Sequence, residues 1–362
     1  MKKEAKVLLI SIIIISLFGA LMIYSSSNIW SEYKFNDPYK YLKSQIIFLI
    51  IGYIVMYIIN KMSYHKYKLF SNYILGACVI LLVLVLIPGI GTVRNGSRSW
   101  FGIGGFGIQP SEFTKLGLII FTSKYLTSNE RSLKNIKKGV LPILAVLFIV
   151  FGLIMLEPDF GTGVVIIMTI ITLLFISGVK MDFFIKIGIV GLLGVVVLII
   201  IAPYRLERIV SFINPWSDPL GSGFQIIQSL YAIGPGGLLG LGFGNSIQKH
   251  FYLPEPQTDF IFSIISEEFG FMGILIVSLL FIAIIISGFK IAMKCEDHFG
   301  KYLSFGITFG LAFQTLLNLM VVTGLIPVTG VTLPFLSYGG SSLIISMTEV
   351  GILLNISKFS YK

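Results

Sequence analysis

Ten apolar runs, each close to the length of a helix that crosses a lipid bilayer, constrain this chain more than any other feature. They fall at about 7–27, 43–60, 69–88, 110–127, 139–156, 161–179, 184–203, 260–288, 301–323 and 338–357. A hydrocarbon core about 30 Å thick needs roughly 20 such residues per helix. Of the 362 residues, 55% are hydrophobic and 12% charged, and the mean hydropathy is +0.92. Soluble proteins carry about 25% charged residues, so separate soluble domains are excluded. The expected fold is one all-α polytopic membrane domain over 1–362, with a long extracytoplasmic loop at 204–259 between spans seven and eight. The first run follows Lys2, Lys3 and Lys6 without a cleavage site of small residues, so it is expected to remain as a helix.

The net charge of +10 could signal nucleic acid, but its distribution points elsewhere. With the N-terminus inside, inner segments hold 18 of the 27 basic residues and five of the 17 acids. That bias is the positive-inside rule. It predicts cytoplasmic termini and no nucleic-acid partner. Cys78 and Cys295 fall in a span and an inner loop, and neither disulfide nor zinc spacing is present.

The outward segments then hold the chemistry. Residues 252–268 read Y-L-P-E-P-Q-T-D-F-I-F-S-I-I-S-E-E, with Pro254 and Pro256 stiffening an extended approach. Asp259 is expected at a helix mouth, where backbone N–H groups favour negative charge. Asp259, Ser263 and Glu267 at i, i+4 and i+8 share one helical face, a polar stripe that is costly in lipid. As a helix cap Asp259 is ordinary. At an outer cavity, with Glu255 and Glu267 nearby, it suits a general base that takes a proton from a hydroxyl.

Three further groups stand out. Glu112 and Lys115, at i, i+3 in the fourth span, suit a capped helix start or a polar cavity wall. Asp159, in E-P-D-F-G-T-G at 157–163, suits a structural turn that caps the next helix. Arg94, Arg98 and Trp100, in a glycine-rich outer segment, suit an anion beside a sugar face, or an anchor at the membrane surface. Gly102, Gly104 and Gly107 fit G-x-G-x-x-G, but without a βαβ unit the pattern carries no dinucleotide meaning.

Together the segments R-S-W at 98–100, Q-P-S-E-F-T-K at 109–115, E-P-D-F-G-T-G at 157–163, L-P-E-P-Q-T-D-F-I-F at 253–262 and P-F-L-S-Y-G-G-S-S at 334–342 resemble the SEDS family of bacterial cell-wall proteins. RodA, FtsW and SpoVE are members, and Q-K-H-F-Y-L-P-E-P-Q-T-D-F at 248–260 favours the FtsW/SpoVE branch. The resemblance implies a peptidoglycan glycosyltransferase for division, cell shape or spore cortex. Its substrate is the undecaprenyl-pyrophosphate-linked disaccharide lipid II, used on the outer membrane face. It places the family's essential acid on Asp259, its outer-loop tryptophan on Trp100 and its polar pair on Glu112 and Lys115. A single-span class B penicillin-binding protein (a transpeptidase) and other division or elongation proteins are the implied partners. No cofactor is required, and a divalent cation, Mg or Mn, is left open. The alternatives are a lipid II flippase, to which intramembrane Glu112, Lys115 and Glu267 are equally suited, and a non-catalytic scaffold for a transpeptidase.

Overall fold

Helices occupy all ten segments whose apolar length forecast a crossing. The computed structural model describes every residue except Met1, Asn95, 104–105, 202–209, Ser211 and 360–362, and only the backbone of Arg94, Ile103, Phe106, Lys134, Val195, Leu198, Ile199 and Ile201. Gly104 of the set-aside glycine pattern, the start of the 204–259 loop and Lys362 therefore lie outside the described residues. The helices are α1 (Lys3–Phe35), α2 (Lys40–Lys61), α3 (His65–Leu86), α4 (Pro110–Ser128), α5 (Leu141–Leu156), α6 (Phe160–Ile176), α7 (Met181–Ile201), α8 (Phe224–Ile233), α9 (Ile261–Met293), α10 (His298–Val322) and α11 (Gly340–Phe359). Among the described residues seven segments are long and apolar enough to cross a bilayer: α1, α2, α3, 136–156, α9, α10 and α11. The chain is an all-α polytopic membrane protein, with α4, α6 and α7 at the three remaining expected positions.

One end of the bundle is closed by short basic turns. The Tyr64 amide donates to Asn355 Oδ1, Asn355 Nδ2 donates to the Asn60 carbonyl, and Lys294 pairs with Glu4. The other end carries the long segments, and two of them differ from expectation. The glycine-rich stretch after α3 is a three-stranded antiparallel sheet of β1 (Thr92–Arg94), β2 (Ser97–Ile103) and β3 (Phe106–Ile108). Arg94 pairs with Ser97 across a tight turn in which Gly96 takes φ 79°.

The second difference is a break in the eighth expected span. Gly270 adopts φ 61° and ψ −155° inside α9. The glycine-rich run after α8 fills this break. Phe271 and Met272 amides donate to the Gly237 and Leu238 carbonyls, and Leu241 and Gly242 amides donate to the Glu267 and Glu268 carbonyls. Irregular backbone at membrane depth is tolerated only when protein satisfies its polar groups, and here the returning loop does so. A Cβ at Gly240, where φ is 79°, would lie 2.2 Å from the Glu268 carbonyl oxygen. Gly240→Ala is therefore expected to cost about 2–5 kcal/mol, from left-handed strain plus overpacking. Thermal unfolding in detergent checks it.

Candidate functional site

The segment around Asp259 is fixed by its neighbours before its side chain is considered. The Asn318 side-chain amide, on α10, donates to the Asp259 and Val331 carbonyls, both at 2.8 Å. The Tyr338 amide donates to the Gln257 carbonyl at 2.8 Å, and the Ser337 hydroxyl to the Thr258 carbonyl at 2.6 Å. The loop between α10 and α11 is thereby stitched to the P-E-P-Q-T-D segment. Asp259 itself is half-buried, and a Cβ built on Gly330 would lie 3.8 Å from its Oδ2. The carboxylate thus faces a stretch of backbone without side-chain bulk.

The expected acidic stripe is corrected by this geometry. α9 begins at Ile261 with Phe260 as its cap, so Asp259 lies in the preceding turn. The Ser263 hydroxyl is buried against the Ser229 hydroxyl at 2.8 Å. Glu267 is also buried, accepting from the Ser246 hydroxyl at 2.5 Å and the Ile247 amide at 2.8 Å. Ser263 and Glu267 hold α8 and the returning loop rather than line one open face with Asp259. Glu255 is exposed, with φ 45°.

Beside Glu267 lies an ion pair that sequence reasoning missed. Lys249 Nζ is 3.3 Å from Glu268 Oε1, with both side chains almost wholly enclosed. The Ser25 hydroxyl of α1 donates to both Glu268 oxygens, at 2.6 and 2.8 Å. Nineteen residues separate the pair, so no local spacing could announce it.

A second buried cluster adjoins the Asp259 segment. Lys115 Nζ donates to Glu112 Oε2 at 3.0 Å and to Gln314 Oε1 at 2.7 Å, and Gln314 Nε2 donates to the Thr332 carbonyl. Glu349 of α11 is buried within electrostatic reach of Lys115, and its Oε2 has no hydrogen-bond partner among the described residues. A lone acid in an apolar span was the available signal for Glu349. Asp159 accepts from the Thr162 amide at 3.2 Å, capping α6, and also from Gln109 Nε2 at 2.9 Å and the Ser111 hydroxyl at 3.1 Å. Next to it, a Cβ on Gly161 would strike Val331 and the Thr329 carbonyl, so this turn packs directly beneath the loop that faces Asp259.

Glu157, in the same turn, is buried with neither carboxylate oxygen hydrogen-bonded among the described residues, and burial with Asp159 beside it pushes its pKa to about 9. A carboxyl whose folded pKa exceeds its unfolded value, here 4.5, costs no stability below the unfolded value. Above it the cost grows, by about 1.4 kcal/mol per pH unit until the folded pKa is reached. Glu157→Gln is therefore expected to raise Tm over wild type at pH 8, with the gain shrinking toward pH 4.5. Unfolding scans across that pH range check it.

The sheet carries the remaining candidates. Trp100 pairs with Thr92, whose hydroxyl donates to the Trp100 carbonyl at 2.9 Å. Arg98 Nη1 reaches the Leu86 carbonyl at 3.4 Å, and its buried Nε has no hydrogen-bond partner among the described residues. The side chain of Arg94 lies outside the description. Among the described residues no group of three or more His, Cys, Asp or Glu side chains is arranged to hold a metal ion.

Such a bundle, with clustered buried charges and a half-buried aspartate beside stitched loops at one end, defines an integral membrane protein. The chain belongs to the FtsW, RodA and SpoVE family, the SEDS proteins: the family model, described as "Cell cycle protein", matches residues 5–362. It is 50% identical over 361 residues to stage V sporulation protein E of Bacillus subtilis, covering 99% of both chains. It is 42% identical to the probable peptidoglycan glycosyltransferase FtsW of Trichlorobacter lovleyi, covering 97% of this chain and 92% of that protein. These relatives agree with the expected FtsW/SpoVE branch. Among solved structures, a chain from a peptidoglycan synthase complex that coordinates polymerization and crosslinking superposes with a TM-score of 0.80 at 31% identity, covering 98% of each.

Proposed function

We propose that this protein is a peptidoglycan glycosyltransferase that polymerises lipid II into glycan strands, with Asp259 as the general base. The termini are cytoplasmic and Asp259 faces the extracytoplasmic side. The acceptor's 4-hydroxyl attacks the donor sugar carbon that bears the pyrophosphate, Asp259 takes the hydroxyl proton, and undecaprenyl pyrophosphate departs with the bonding electrons. Arg94 or Arg98 stabilises the leaving charge, and Trp100 stacks on the donor. A divalent cation, if one takes part, adds to that stabilisation, and no step above runs through it. The observation that carries this reading is the Asp259 backbone clamped by Asn318 in a residue that is only half-buried, with its carboxylate against Gly330. A general base works only when held within reach of the proton it removes.

The implied partner is a single-span class B penicillin-binding protein that crosslinks the strands. Purified protein with that partner, supplied with lipid II, is expected to give long glycan strands on a polyacrylamide gel. Their absence across detergents and nanodiscs would overturn the assignment. The buried cluster of Lys115, Glu112, Asp159 and Glu349 favours a second reading, carriage of lipid II across the membrane, since charges at that depth suit a polar path. Transport of fluorescent lipid II by liposomes holding this protein alone separates the two.

A further inference from the structure

One surface feature plays no part in the reaction just described. Five aromatic side chains line up as a ribbon on the loop-bearing end, in two groups of touching rings. Tyr33 and Phe251 have ring centroids 5.5 Å apart, and Phe251 and Trp30 are again 5.5 Å apart. Trp30 lies close enough to act on the Tyr41 hydroxyl, and Tyr41 packs edge-on against Tyr338 at 4.9 Å. The Tyr338 amide is bonded to Gln257, two residues before Asp259. The ribbon thus starts at an exposed rim, where Tyr33 is 76% and Phe251 50% accessible, and ends at the proposed base.

Its position argues against an acyl-chain groove. α1 has 33 residues, about 50 Å of helix at 1.5 Å each, against a hydrocarbon core about 30 Å thick. The apolar run ends near Tyr24, and the polar stretch Ser25 to Asn28 separates it from Trp30 and Tyr33. The rings therefore stand above the lipid tails. Their rim is polar: Glu32, Lys34 and Glu255 are exposed, and Lys34 Nζ lies 5.9 Å from the Trp30 ring. Phe251 and Glu255 both hold left-handed backbone, with φ 67° and 45°. Such strain persists in a non-glycine residue only where its surroundings enforce it.

We infer that this ribbon is a saccharide platform that holds the glycan strand as it leaves Asp259, an inference that rests on the polymerase reading above. Aromatic rings present flat apolar faces to the C–H faces of an N-acetylated amino-sugar polymer. The tyrosine hydroxyls, Lys34 and Glu255 meet its hydroxyl and acetamido groups. A protein partner would be the alternative occupant, but this strip alternates rings with charges and lacks the apolar centre of a protein interface.

The test uses the full-length protein in nanodiscs and two readouts. The first is the Kd for peptide-free glycan strands of alternating N-acetylglucosamine and N-acetylmuramic acid. The second is mean strand length made from lipid II with the transpeptidase partner. Tyr33→Ala/Phe251→Ala is expected to weaken Kd about tenfold, roughly the loss of two ring contacts, and to shorten strands about threefold. Tyr33→Phe/Phe251→Trp is expected to restore both, and Tyr73→Ala, exposed on α3, to change neither. Should Tyr33→Ala/Phe251→Ala prove unstable, the single Tyr33→Ala carries the same comparison. Unchanged Kd and length in these variants would overturn the platform, as would loss of the transpeptidase with glycan binding intact. If wild type binds glycan and the variant does not, yet no strand forms from lipid II, the polymerase reading fails while the platform stands.

Discussion

Asp259→Asn is expected to lower glycan polymerisation by about 10²–10⁴-fold, the range lost when a positioned general base is removed. The amide keeps the shape of the carboxylate and cannot take the acceptor's proton. The Asn318 bond reaches the Asp259 backbone carbonyl, which the substitution leaves in place. Stability is therefore expected to stay within ~1 kcal/mol of wild type, so a loss of product reports chemistry rather than unfolding. Glu255→Gln, at an exposed position, is expected to have a much smaller effect. Gel analysis of strands from purified lipid II checks both. Equal product from Asp259→Asn and wild type would remove the assignment and leave carriage or scaffolding.

Much of this arrangement was legible in the chain because lipid punishes polar residues. Apolar length alone located every helix named above except α8, and polar residues in or beside the spans, such as Lys115 and Asp159, marked places with a reason to exist. The proline-rich approach to Asp259 announced a fixed segment. What escaped was long-range backbone pairing. The Asn95-Gly96 pair is a hairpin signal, but the glycine-rich composition around it masks the strand pattern of the sheet around Trp100. The break at Gly270 left no trace in hydropathy, since the run stays apolar across it. Glu267 was placed on an open face because local helical spacing cannot register a loop that returns from residue 234 and caps it. The same blindness hid the partner of Glu268, which lies across that loop.

Lys249→Met is expected to destabilise the protein by about 3–5 kcal/mol, the cost of leaving one partner of an enclosed ion pair uncompensated. Glu268 would keep the Ser25 hydroxyl and a long bond from the Ser246 amide at 3.3 Å. It would lose its only cation among the described residues. Lys249→Met/Glu268→Leu removes both charges and is expected to recover most of that loss, since well-packed apolar replacements of such pairs are often neutral or better. The coupling matters for activity because the pair locks the returning loop. Leu241 and Gly242 amides close onto the Glu267 and Glu268 carbonyls, while Lys249 Nζ also holds the Gly244 carbonyl at 2.5 Å. Residues 250–259 continue directly from that locked loop to the proposed base. The single substitution is thus expected to depress polymerisation with Asp259 intact, and the double variant to restore it in step with Tm. A Lys249→Met protein within 0.5 kcal/mol of wild type would mean the loop is held by its backbone bonds alone.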